Sequence, residues 1–207
     1  MPLQTIVEAI STRLHKITGD SELLKNLEWF KNRAEEQNNL EAPIIRKPFF
    51  CSGCPHNSSL KVPEGKRALG GIGCHYMAVD SIESTEFFTQ MGGEGTPWIG
   101  IAPFSHEKHV FANLGDGTYK HSGILAIRAS LDANVNITYK ILYNDAVAMT
   151  GGQEIGSNWD VEGIVKQVLA EGVKKVSILS EDPKRYNHLI KNGVKSLHRD
   201  AIITEQE

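Results

Sequence analysis

Apolar residues Leu3, Ile6, Val7, Ile10, Leu14 and Ile17 recur at helical spacing, and Gly19 ends the run. Ser21 is the expected N-cap of a second helix, with Leu23, Leu27, Phe30 and Ala34 on its apolar stripe. The polar stretch Glu35–Leu40 leads to an Ala42-Pro43 boundary, where the pattern changes. Residues 1–42 therefore read as a helical segment and residues 43–207 as a separate domain. In that domain Arg67–Ile72 reads as a strand entering a Gly-rich turn, and His109–Leu114 as a strand delivering Gly115-Asp116-Gly117 at its C-terminal end. Ser122 is expected to cap a helix carrying Ile124, Leu125, Ile127 and Leu131, and Asn136–Tyr143 is the next strand. Asp160 caps a helix with Val161, Ile164, Val165, Val168 and Leu169 on one face. Lys175–Ser180 is a further strand, and Asp182-Pro183 opens another helix. Strands alternating with helices predict an α/β fold: a mostly parallel sheet with helices on both faces, preceded by the short helical segment.

Composition narrows the function classes. A chain of 207 residues holds one substantial domain with an appended piece. Its net charge of −3 offers no basic surface for nucleic acid. No apolar run approaches the roughly 18 residues of a membrane span, and no signal-peptide pattern opens the chain, so a cytoplasmic protein is expected. Three cysteines do not make a secreted disulfide framework, and metal binding is their leading use.

Gly115-Asp116-Gly117 is followed, after 26 intervening residues, by Asn144 at the end of a strand. Alone, a DG step is usually just a turn. Its place in a strand–helix–strand crossover, and the polar loop Met149–Gln153 beyond Asn144, favour a binding role. Hard oxygen donors at two strand ends suit a diphosphate-bound Mg²⁺, whose remaining positions phosphate and water fill. Asp116 and Asn144 are the candidate side-chain ligands, with the Ala146 carbonyl as a third protein oxygen. Amides around Gly115, Gly117, Thr150 and Gly151 are candidates for holding the diphosphate, and Asp145 is a weaker candidate.

Cys51 and Cys54 form a C-x2-C pair, and Cys74 follows after nineteen residues. Two thiolates from one turn suit either tetrahedral Zn²⁺ or an iron–sulfur cluster. A Cys3His zinc site, drawing on His56, His75, His106, His109 or His121, is a serious rival to the cluster.

The stretches FCSGCPHNSSLKVPEGKRALGGIGCHYM, TQMGGEGTPWIGIAPF, NLGDGTYKHSG and NITYKILYNDAVAMTGGQ resemble the thiamine-diphosphate (TPP) binding domain of indolepyruvate ferredoxin oxidoreductase, in its large fused proteobacterial form. The resemblance is dense from Pro48 to Gln153 and looser beyond. It implies oxidative decarboxylation of a 2-oxo acid, indolepyruvate or a related arylpyruvate, to an acyl-CoA, with electrons passed through iron–sulfur clusters to ferredoxin. Carried over by position, Cys51, Cys54 and Cys74 hold a [4Fe-4S] cluster, Asp116 and Asn144 hold Mg²⁺, and Gly92, Gly93, Glu94 and Gly95 lie along TPP. Trp98, Phe104 and Tyr119 are candidates for an aromatic substrate pocket. The resemblance also implies the remaining domains of the fused enzyme as partners, and a homo-oligomer. The family's fourth cluster cysteine has no counterpart before Glu207, and its catalytic glutamate belongs to another domain, so Glu94 is not given that role. A domain inactive by itself is the expectation. The alternatives are a zinc-stabilised scaffold domain and a non-redox TPP decarboxylase or transketolase-like subunit.

Overall fold

The computed structural model of the protein describes residues 3–39, 49–80, 85–156 and 160–207. The chain divides into two compact units, residues 1–47 and 48–207. The boundary expected at residues 42–43 lies outside the described residues.

The first unit is a helical hairpin, α1 (Leu3–Thr18) and α2 (Glu22–Asn38). Gly19 turns the chain at φ +70°, a conformation open to glycine because it lacks a Cβ. Lys31 pairs with Glu8 across the hairpin at 2.6 Å. The expected cap moves by one residue: Ser21 makes no capping bond, and Asp20 Oδ1 accepts from Glu22 N at 2.9 Å.

The second unit opens with a one-turn helix, α3 (His56–Ser59), and continues through β1 (Ala68–Gly70), a 3₁₀ segment (Cys74–Asp80), β2 (Thr85–Phe88) and α4 (Thr96–Ile101). Then come β3 (Val110–Gly115), a helix in three pieces, and β4 (Ile137–Leu142). Those pieces are α5 (Asp116–Thr118), a π turn (Tyr119–Gly123) and α6 (Ile124–Asp132). The four strands form one parallel sheet in the order β2-β1-β3-β4. An α/β fold with a parallel sheet is what the alternating pattern predicts.

The period of two along β3 explains the layering. Val110, Ala112 and Leu114 share one face and pack against Trp98, Ile127, Ile164 and Val168. On the opposite face the register brings Asn113 beside Lys140 and Gly115 beside Leu142, and Leu142 packs against Phe50, Leu60 and Ala78. Burial on both faces is why Val110–Leu114 reads as an almost unbroken apolar run.

Downstream, β5 (Ala146–Val147) and β6 (Gln153–Glu154) form a small antiparallel hairpin. Asp160 caps α7 (Val161–Ala170), as expected, by accepting from Gly163 N at 2.8 Å. This helix has two working faces: Ile164 and Val168 pack toward Leu114, and Val165 packs against Ile178, Leu189 and Val194. The latter group belongs to a separate parallel pair, β7 (Ser177–Ser180) and β8 (Lys195–His198). Between them Pro183–Asn192 is 3₁₀ rather than α-helical, and Asp182 makes no side-chain cap. The chain closes with α8 (Ile202–Gln206).

Candidate functional site

The strand order contains a reversal. From β1 the chain crosses to β2 on one side, then returns to lay β3 on the other side of β1. The loops leaving β1 and β3 therefore diverge at their carboxyl ends, and in open α/β sheets ligands bind in the crevice this creates. Gly70-Gly71 ends β1 there, and Gly115-Asp116-Gly117 ends β3.

The helix expected from Ser122 begins at Asp116 instead, with extended Gly115 preceding it. Ser122 cannot cap it because its Oγ lies in the π turn, donating to Met91 O at 3.4 Å. The earlier start places the Asp116 carboxylate, only 5% exposed, at the mouth of the crevice. Its Oδ1 accepts from Gly117 N at 2.8 Å, and its Oδ2 accepts from Asn144 N at 2.8 Å and Asp145 N at 2.6 Å. One carboxylate thus ties the end of β3 to the loop after β4. Asp145, in the loop that presents both amides, adopts φ +56°, a left-handed conformation. Asn144 Oδ1 accepts from Ala146 N at 3.1 Å, so the three proposed Mg²⁺ ligands fall in one short hydrogen-bonded chain.

Acceptor capacity decides whether the donor set fits a hard cation. A carboxylate offers about four lone-pair positions and an amide oxygen two. Three of the former and one of the latter are used, leaving one free on each side chain. An anionic oxygen beside a neutral amide oxygen, both oriented by backbone amides, is a donor set for Mg²⁺.

The other candidates divide by what surrounds them. Val147 Cγ2 lies 3.4 Å and Ile155 Cδ1 3.7 Å from where a Gly117 Cβ would stand, so the β5–β6 hairpin covers this turn. Thr150 and Gly151 form the tip of that hairpin, where Thr150 Oγ1 donates to Gln153 Oε1 at 2.7 Å. Gly115 has open space beside it. Gly92 and Gly95, by contrast, are required by close packing: Cβ atoms there would stand 2.1 Å from Ser122 Oγ and 2.5 Å from Tyr139 Oη. At Gly93 the near neighbour is the Gln90 amide. Glu94, between them, has no exposed surface. Of the aromatic candidates, Trp98 is buried with its indole N–H donating to Asn136 O, Tyr119 is buried and donates to Gln167 Oε1, and Phe104 is fully exposed.

The cysteines gather on the opposite face of the sheet. Cys54 N donates to Cys51 O at 3.0 Å in a tight turn, and Cys54 and Cys74 both pack against the Phe50–Leu60 cluster. Burial pushes the Cys74 thiol up, and the nearby Cys54 and Cys51 sulfurs push it further. Among the described residues, no three His, Cys, Asp or Glu side chains are disposed to hold a metal ion. The three thiols share a neighbourhood, and among the described residues they do not form a closed metal site.

Three groups meet here: His75 and His56, both nitrogen candidates from the sequence, and Arg199, which its patterns missed. His75, 2% exposed, is held neutral by burial to about pH 4, and its Nε2 accepts from Gly71 N at 3.0 Å. His56 has both ring nitrogens enclosed without a hydrogen-bond partner among the described residues; burial lowers its pKa, against the pull of nearby Asp116. Arg199, from beyond β8, donates to Pro55 O at 2.9 Å and to Ser58 Oγ at 2.5 Å, bracketing that histidine.

Residues 71–187, more than half of the chain, match the model of the thiamine pyrophosphate enzyme C-terminal TPP-binding domain. The chain belongs to this family. Its match spans the switch-point loops, Asp116, Asn144 and both faces of α7. The indolepyruvate oxidoreductase subunit IorA of Archaeoglobus fulgidus is 29% identical over 163 residues, covering 70% of this chain and 26% of that protein. The same subunit from Thermococcus kodakarensis is 27% identical over 150 residues, covering 63% and 23%. The chain spans about a quarter of the length of these relatives. A solved structure, 2-oxoglutarate:ferredoxin oxidoreductase from Magnetococcus marinus with 2-oxoglutarate, coenzyme A and succinyl-CoA bound, superposes with a TM-score of 0.53 at 21% identity. That superposition covers 78% of this chain and 65% of the other, and shows a shared TPP-domain fold.

Proposed function

We propose that this TPP-binding domain supplies the Mg²⁺–diphosphate half of the active site of a 2-oxo acid:ferredoxin oxidoreductase acting on indolepyruvate or a related arylpyruvate. The observation that carries the reading is the Asp116 carboxylate accepting from Asn144 N, which ties the two oxygen-bearing residues together across the ends of β3 and β4. Asp116 and Asn144 hold the cation, with the Ala146 carbonyl beside them, and backbone amides at the ends of β1 and β3 orient the diphosphate. Bound TPP supplies the carbanion-stabilising chemistry that decarboxylates a 2-oxo acid. The role of this chain is to fix the cofactor's anchored end and to shield it beneath the β5–β6 hairpin. CoA, ferredoxin and the remaining domains of such an enzyme are the partners this role requires.

Calorimetric titration of TPP with and without Mg²⁺ tests the reading. Binding should require Mg²⁺ and be abolished in Asp116→Ala. A Mg²⁺-independent signal untouched by that substitution would sink it.

Cys51, Cys54 and Cys74 are proposed as three cluster thiolates, supported by their shared neighbourhood and by the resemblance to relatives that are oxidoreductases. Anaerobic reconstitution should give iron and sulfide in the wild-type chain and a large loss of both in Cys54→Ser. Stoichiometric zinc without iron would instead identify the scaffold reading.

A further inference from the structure

Glu94 is a carboxyl group with no exposed surface. Its Oε2 accepts from Gly92 N at 2.8 Å, and its Oε1 is enclosed with no hydrogen-bond partner among the described residues. The side chain fills the space beside Gly71, where a Cβ would stand 2.0 Å from Glu94 Oε1 and 2.5 Å from its Cγ and Cδ. Gly71 N donates to His75 Nε2, and Glu94 O accepts from Tyr139 Oη at 3.0 Å. One side chain therefore keys the loop after β2 into the turn after β1, at the edge of the switch-point crevice.

The chemistry of that environment suits an acid and not its anion. A carboxylate is an acceptor at both oxygens, and leaving one enclosed and unpaired is costly. A neutral carboxyl keeps its proton on the unpaired oxygen and carries a far smaller desolvation cost. Among the described residues, the groups facing it offer no compensating charge. His75, from the turn after β1, is neutral above about pH 4, and Tyr139, from β4, has its hydroxyl pushed up to about 12. Ser122, from the π turn, contacts the loop at Gly92.

We propose that Glu94 is a positioning residue, an uncharged carboxylic acid that locks the Gly92–Gly95 loop onto Gly71 and so fixes two walls of the diphosphate crevice. The consequence for cofactor binding rests on the Mg²⁺–TPP reading above; the lock itself does not. Burial raises the Glu94 carboxyl above the ordinary carboxylate range, in the same sense.

The test compares the 207-residue chain with Glu94→Gln and Glu94→Ala. An acid with a raised folded pKa keeps its proton where the unfolded chain has lost it. Stability therefore falls as pH rises from the unfolded value of about 4.3 toward the folded one, a step that glutamine lacks. Melting temperatures of the wild type and Glu94→Gln should converge at the acid end of a pH 5 to 9 series and separate above it, with Glu94→Gln the more stable. Hydrogen exchange at Gly71 and Gly92–Gly95 should accelerate at least about tenfold in Glu94→Ala and recover in Glu94→Gln, a change equivalent to about 1.4 kcal/mol of local opening. Mg²⁺–TPP affinity should fall in Glu94→Ala and be rescued by Glu94→Gln. A gap of opposite sign, in which Glu94→Gln becomes the less stable as pH rises, overturns the proposal. So does loss of TPP binding in a Glu94→Gln chain that melts normally, because the carboxylate would then be touching the cofactor. If the wild type binds no TPP, the function reading fails, and the melting and exchange series still decide the lock.

Discussion

Asp116 Oδ2 accepts from the backbone N–H of Asn144 at 2.8 Å, across two strands of the sheet. The bond uses Asn144's backbone and leaves its side-chain oxygen directed by Ala146 N, so the two residues contribute separably. Asp116→Ala orphans three amide donors and should destabilise the chain by on the order of 3 kcal/mol in a urea titration. Asn144→Ala removes the side-chain amide and frees only one exposed donor, Ala146 N: stability should change by less than about 1 kcal/mol while Mg²⁺-dependent TPP affinity falls. Equal destabilisation by both would contradict this division.

Tyr139 is a second such knot. Its hydroxyl meets Ser130 Oγ at 2.9 Å and the carbonyls of Glu94 and Ala126 at 3.0 and 3.2 Å. Tyr139→Phe keeps the ring packed but leaves those groups short of a partner. A loss of about 1–2 kcal/mol is expected from the denaturation midpoint, with no change in the slope.

Gly92 is held at φ +90° with Ser122 filling the space a side chain needs. Gly92→Ala should cost roughly 1–3 kcal/mol through overpacking and backbone strain. Adding Ser122→Gly removes the Oγ and Cβ that collide, at 2.1 and 2.6 Å, but leaves the strain. The double variant should therefore recover part of the loss, and additive costs would argue against a direct clash.

Lys140, on β4, donates from Nζ to Lys61 O at 2.8 Å and lies 5.7 Å from the centre of the Phe111 ring. Burial lowers its pKa to about 7. The unfolded chain binds the proton up to about pH 10.4, so between these values it holds more protons than the folded one, and stability rises with pH across that window. Below about pH 7 the folded state carries the full cost of the enclosed charge. Melts of Lys140→Met should show a gain over the wild type at pH 6 that shrinks toward pH 10. A gain independent of pH would mean that Lys140 is not the titrating group.

Much of this fold was legible because its signals are local. The apolar run Val110–Leu114, the stripe of Val161, Ile164, Val165 and Val168, and the Asp160 cap each depend on near neighbours along the chain. The spacing from Gly115-Asp116-Gly117 to Asn144 was readable for the same reason, since one crossover of fixed handedness and length joins them. Where a long-range contact competed, the local reading gave way. Ser122 looked like a cap, but its Oγ turns to Met91, and the helix starts six residues earlier.

What the sequence by itself determined is the α/β alternation, the placing of Asp116 and Asn144 at strand ends, and the pairing of glycines with tight turns. Only the tertiary structure decided which loops share the switch-point crevice, that Glu94 is enclosed against Gly71, that His75 is buried, and that the ring nitrogens of His56 are enclosed. The physical reason is that hydrogen-bond satisfaction and desolvation belong to the environment. A carboxylate or imidazole has the same formula at any position, and its charge state is set by the atoms that packing brings around it.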